Sequence, residues 1–132
     1  MRDFQFVQEN QSNMASRDIH KAFDYINRAR QISPNDSFTL AILGTIYSDH
    51  KRNFKKAIEL FAKSLKGNKE YDYPYLMLSK ILATGDDEIQ KDTIQAFLFF
   101  KIAVSLNPKN FKYGLPELQE AYSLHVSIQN LG

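Results

Sequence analysis

The chain contains no cysteine among its 132 residues, which excludes disulfides, thiolate nucleophiles and cysteine-held metals and fits a cytoplasmic setting. Long apolar runs are missing as well. The longest, Phe97 to Phe100, is four residues, against the roughly 20 that a membrane-spanning helix needs. No basic-then-apolar leader opens the sequence, so no secretory signal is expected. The Asn-x-Ser triplets at Asn10 and Asn35 then read as coincidence rather than glycosylation sites. Charge of one sign is not in excess: 17 basic and 15 acidic side chains leave +2, too balanced to suggest nucleic acid as a partner.

What is present is a recurrence. Ala96, Phe100, Ala103 and Pro108 repeat a small–large–small–proline spacing carried earlier by Ala22, Ile26, Ala29 and Pro34. Ala57, Phe61 and Ser64 repeat it again, with Lys69 where the proline would fall, so the steps are 35 and 39 residues. A period in that range marks stacked helical units that bury their apolar faces against one another. The 43% apolar content suffices for one such domain.

Residues 1–15 are polar without period after Phe4, Phe6 and Val7 and are expected to be an N-terminal arm or degenerate helix. Residues 16–132 are expected to form the repeat domain. A helix from Ser16 or Asp18 to about Ile32 carries Ile19, Ala22, Phe23, Ile26 and Ala29 on one face, and Pro34 stops it. Asp36 or Ser37 caps the next, to about His50, with Gly44 inside it where a neighbouring helix comes close. Asn53 caps a third that ends at Gly67 in the C-terminal glycine position. Asp72-Tyr73-Pro74 opens a fourth, closed by Gly85, and the extra residues of the longer unit fall in the connection 84–92. The fifth helix, around Ala96 to Leu106, is apolar on almost every side and is expected to be buried from more than one direction. A last helix, roughly Pro116 to Gln129, covers the end of the stack.

These residues resemble the tetratricopeptide repeat family. Its pattern of a large residue, Leu-Gly and Tyr, then Ala, Phe, Ala and Pro, is matched by Leu40, Leu43-Gly44 and Tyr47 leading into Ala57, Phe61 and Ser64. Tyr75, Leu78-Ser79 and Leu82 lead into Ala96, Phe100, Ala103 and Pro108, and Leu115, Leu118-Gln119 and Tyr122 look like a capping half-unit. The resemblance implies an all-α, right-handed superhelix (a solenoid of antiparallel helix pairs) that acts as a non-catalytic adaptor or scaffold for a protein or peptide partner. It also implies that the first helix of each unit lines a concave groove, here Phe38, Ala41, Ile42, Thr45 and Asp49, then Tyr73, Leu76, Met77 and Lys80. Some family members clamp a terminal carboxylate with lysine and asparagine; Ala41 and Thr45 stand at those places, which argues against such a clamp. An apolar segment suits the groove better, with Asp49 and Lys80 setting its orientation. The other reading is that residues 1–15 fill the groove or that some of these side chains are core. A small chaperone of a client protein, or a self-associating assembly unit, are the alternative functions.

A second surface stands out. Asp24 and Arg28, then Glu59 and Lys63, are solvent-type pairs on the outer helices. In the third unit the same places hold Leu98 and Ile102, with Phe99 beside them. Either the 84–92 loop or the last helix covers them, or they form a homodimer or partner interface. No catalytic, cofactor or metal site is expected. His20, His50 and His125 are far apart, and Ser48-Asp49-His50-Lys51 matches a serine–lysine nucleophile pattern only by chance. Asp86-Asp87-Glu88 reads as a helix-capping cluster rather than a calcium loop. Lys51, Arg52, Lys55 and Lys56 make a modest basic patch that reads as a solvated face.

Overall fold

A computed structural model describes residues 36–131 continuously, together with the helical positions His20, Lys21, Asp24, Asn27, Arg28 and Gln31. The expectations for residues 1–15, and for Ala22, Ile26, Ala29 and Pro34, lie outside the described residues. The described residues are all-helical: α1 (Ser37–Asp49), α2 (Phe54–Gly67), α3 (Asp72–Thr84), α4 (Thr93–Leu106), a 3-10 helix (Pro108–Tyr113) and α5 (Pro116–Leu131). No described helix is long and apolar enough to cross a membrane.

Side-chain oxygens start three of the helices by accepting backbone N–H groups that lack an intrahelical partner. Asp36 accepts from Thr39 at 2.8 Å, Asn53 from Lys56 at 3.0 Å and Asp92 from Gln95 at 3.0 Å. Gly85 closes α3 with φ +68, and a Cβ there would meet the backbone of Lys91 and Ile89 at about 3 Å, so the turn needs glycine. Gly67 differs from expectation. It is the last residue of α2, and Asn68, in extended backbone, makes the cap instead.

The helices pack in pairs, α1 against α2 and α3 against α4. The recurring small–large–small triplets mark the pair interfaces: Ala57, Phe61 and Ser64, and Ala96, Phe100 and Ala103, are all wholly buried. Small residues let the helix axes approach, and each phenylalanine fills the space between, worth about 1.5–3 kcal/mol of apolar burial. Phe61 packs with Ala41, Met77, Leu78 and Ile81; Phe100 packs with Leu76, Ala83, Val104 and Leu118. Gly44 lies against the Phe61 ring and Gly114 against the Phe100 ring, each at a distance that leaves no room for a methyl group.

A 3-10 helix follows from Pro108 to Tyr113, an element that the repeat spacing ending at Pro108 does not announce. Its buried Asn110 donates from Nδ2 to Asp72 Oδ2 (2.7 Å) and to the Ala103 carbonyl (2.9 Å), tying the segment to the start of α3 and the end of α4. On α5, Leu118 is buried, Tyr122 packs on Phe100 and Phe111, and His125 meets the Phe97 ring at 5.8 Å. Burial of α4 from several directions is corrected by the structure. Ala96, Phe100, Ala103 and Val104 are buried, but Ile94, Leu98, Ile102 and Leu106 are exposed. Neither the 84–92 loop nor α5 covers Leu98 and Ile102.

Candidate functional site

The proposed groove residues lie on α1 and α3, the first helices of the two described pairs. Their burial divides them. Ala41, Ile42, Thr45, Leu76 and Met77 are buried, whereas Phe38, Asp49, Tyr73 and Lys80 are partly exposed. Ala41 and Met77 belong to the Phe61 cluster, Ile42 to a cluster with Leu40, Leu43, Ile46 and Leu60, and Leu76 to the Phe100 cluster. Much of that set is therefore packed into the cores that join the helices.

At one end of the α1–α3 boundary a recess of about 230 Å³ remains open, lined by Ser48, Asp49, Arg52, Phe54, Met77, Lys80, Ile81 and Thr84. The structure thus brings Asp49, Met77 and Lys80 of the expected set together and adds Ser48, Arg52, Phe54, Ile81 and Thr84. Met77, Ile81 and Phe54 supply an apolar floor, and Asp49, Arg52 and Lys80 charge the lining. The volume is below that of a typical cofactor or drug-sized site and suits one or two peptide side chains.

The electrostatics of the recess follow from partial burial. Burial pulls the Lys80 ammonium below its ordinary pKa, and Asp49 opposes that shift. Asp49 Oδ1 accepts from the Ser48 hydroxyl at 2.9 Å. Arg52 sits in the turn between α1 and α2 at φ +53, a left-handed conformation that costs a non-glycine residue roughly 1–2 kcal/mol. Two cations against one carboxylate leave the lining with an excess of +1, so it favours an anionic group on whatever enters.

Deeper along the same boundary, the Thr45 hydroxyl and the Tyr73 hydroxyl are 2.6 Å apart, and Thr45 also donates to the Ala41 carbonyl at 3.1 Å. With the Thr45 proton on that carbonyl, Tyr73 donates to Thr45. Burial, with smaller contributions from Asp49 and Tyr71, drives the Tyr73 phenol far above its usual range, against the pull of the Thr45 hydrogen bond. Tyr71 is pushed up to about 12 by burial and by Asp72 and Asp36. The Tyr71–Tyr73–Phe61 rings stand 6.3 and 6.4 Å apart in sequence, so the two tyrosines anchor α3 on the first pair.

The remaining polar constellations resolve into structural roles. Ser48 is buried and donates to the Thr45 carbonyl and to Asp49, while Lys51 lies exposed beyond the helix end. Asp86 Oδ1 accepts the N–H groups of Glu88 and Ile89, folding the loop, and Asp92 caps α4. Among the described residues no group of three or more His, Cys, Asp or Glu is placed to hold a metal. His50 is the C-cap of α1 and His20 is exposed. The basic patch residues Lys51, Arg52 and Lys55 are exposed, and Lys56 pairs with Glu59 at 3.6 Å.

Arg52 and Thr84 were not legible as recess residues, because the sequence assigns both to turns. The placement of α3 beside α1, one pair on from the other, is what brings those positions together. Compared with protein-family models, curated proteins and solved structures, the chain matches none.

Proposed function

We propose that this chain is a helical-repeat adaptor of tetratricopeptide type, non-catalytic, that binds a short peptide segment of another protein at the α1–α3 boundary. The observation that carries the reading is the mixed lining of the recess, with Met77 and Ile81 beside Lys80 and Arg52. An apolar side chain on the floor contributes burial energy, and an adjacent Asp or Glu pairs with the half-buried Lys80, whose ammonium gains a counter-charge. The repeat assignment is supported by the matching burial of the Phe61 and Phe100 triplets and by helices that pack in sequential pairs. A superhelix of these pairs would extend the groove beyond the recess.

Selection of the intact protein against a random peptide library tests this. Enriched peptides should place an apolar residue next to Asp or Glu, and two variants should weaken them at least tenfold. Lys80→Gln removes the cation, and Thr84→Trp plugs the recess from an exposed position. Enriched peptides that bind wild type and both variants equally would remove the recess as the site.

A further inference from the structure

We propose that the outward face of α4 is the contact surface of a homodimer in which two α4 helices lie antiparallel about a two-fold axis. The first support is an internal control. The residues one repeat earlier on α2, 39 positions back, are Lys55, Glu59 and Lys63, all exposed, as expected for a solvated face. At the matching places α4 carries Ile94, Leu98 and Ile102, with exposures of 76%, 41% and 38%. Leu106 continues the same four-residue spacing. Four aliphatic side chains in one stripe need a cover, and no other described segment supplies one.

Charge identifies the cover. Around the N-terminal end of α4, residues 86–92 hold Asp86, Asp87, Glu88 and Asp92 against Lys91, a net −3. From within the helix to just beyond its C-terminal end, residues 101–114 hold Lys101, Lys109 and Lys112 with no acidic residue, a net +3. A second copy laid antiparallel sets Ile94 near Leu106 of its twin and Leu98 near Ile102, and brings each acidic end against a basic end. The helix dipoles also oppose favourably in this arrangement. A parallel arrangement would set −3 against −3.

Area sets the strength. A 14-residue helix is about 20 Å long and 10 Å across, so its face alone falls short of the ~800 Å² per partner of a standard interface. The end clusters add to it, and the dimer belongs to the weak, reversible class. This surface is separate from the recess, so either proposal can fail without the other.

Sedimentation velocity on the full chain, from about 1 to 200 μM, tests it. The mass should rise from 15.3 kDa towards twice that value, and Leu98→Glu should weaken dimerisation at least tenfold with unchanged helical circular dichroism. Two charge variants that touch no core residue test the register: Asp87→Lys with Glu88→Lys, and Lys109→Glu with Lys112→Glu. Each alone should be monomeric, and an equimolar mixture should form a heterodimer. A wild type that stays monomeric at the highest concentration overturns the proposal and gives the face to a different partner. A dimer indifferent to Leu98→Glu overturns it also, and a mixture that fails to pair overturns the antiparallel register.

Discussion

The Tyr73 hydroxyl offers a prediction whose sign depends on pH. In the folded chain the phenol is held by burial far above its ordinary pKa of 10.0, and it sits 2.6 Å from Thr45 Oγ1. In the unfolded chain it titrates normally. A group whose folded pKa is raised contributes stability that is fully present below the unfolded value and is lost as pH climbs above it. Below pH 10, Tyr73→Phe therefore removes one buried hydrogen bond, leaving Thr45 its bond to the Ala41 carbonyl, at a cost of about 1 kcal/mol. Above that, the wild type loses stability because its unfolded state sheds a proton that the folded state retains. The loss approaches ~1.4 kcal/mol per pH unit and amounts to about 1.4 kcal/mol at pH 11 for this group alone. Tyr73→Phe is free of that loss, so the two stability curves should cross at roughly pH 10.5–11. Tyr71, half-exposed, adds a smaller decline common to both proteins. Urea unfolding followed by circular dichroism from neutral pH to about pH 11.5 measures both curves. Curves that run parallel through this range would show that Tyr73 ionises in the fold as it does in the open chain, and would refute the buried Thr45–Tyr73 contact.

Gly44→Ala and Gly114→Ala should both destabilise, and unequally. Alanine at 44 recovers about 1 kcal/mol of helix propensity but places a methyl 2.9 Å from the buried Phe61 ring. At 114 the same change overlaps the Phe100 ring with no helical gain, so it should cost about 1–3 kcal/mol, the larger loss in thermal or denaturant melts. Asn110→Ala, which strips two hydrogen bonds and leaves Asp72 and the Ala103 carbonyl without that donor, should cost about 1–3 kcal/mol in the same assay, against a change near zero for the exposed Lys109→Ala.

The sequence carried the helices and their caps because both depend on local chemistry. Asp36 and Asn53 precede their helices in the positions that satisfy free N–H groups, Pro74 lies in the first turn of α3 and Gly85 ends it. The recurring Ala–Phe–small triplets pointed to the buried interfaces for the same reason, since a close helix contact restricts size. The groove was less legible. Helix periodicity identifies an apolar face but not whether another helix already occupies it, and so Ala41, Ile42 and Leu76, read as lining, are packed against Phe61, Leu60 or Phe100 and their neighbours. Asn110 was invisible because its partners lie 38 and 7 residues away. Leu98 and Ile102 stand out of place on a solvent face in the sequence itself, and among the described residues they stay exposed there.

The most direct test of the binding reading is amide chemical-shift mapping of the labelled full chain with a selected apolar–acidic peptide. The largest shifts should fall on Asp49, Arg52, Phe54, Met77, Lys80 and Thr84, with α5 unmoved. Saturable shifts confined to residues away from the α1–α3 recess would contradict it.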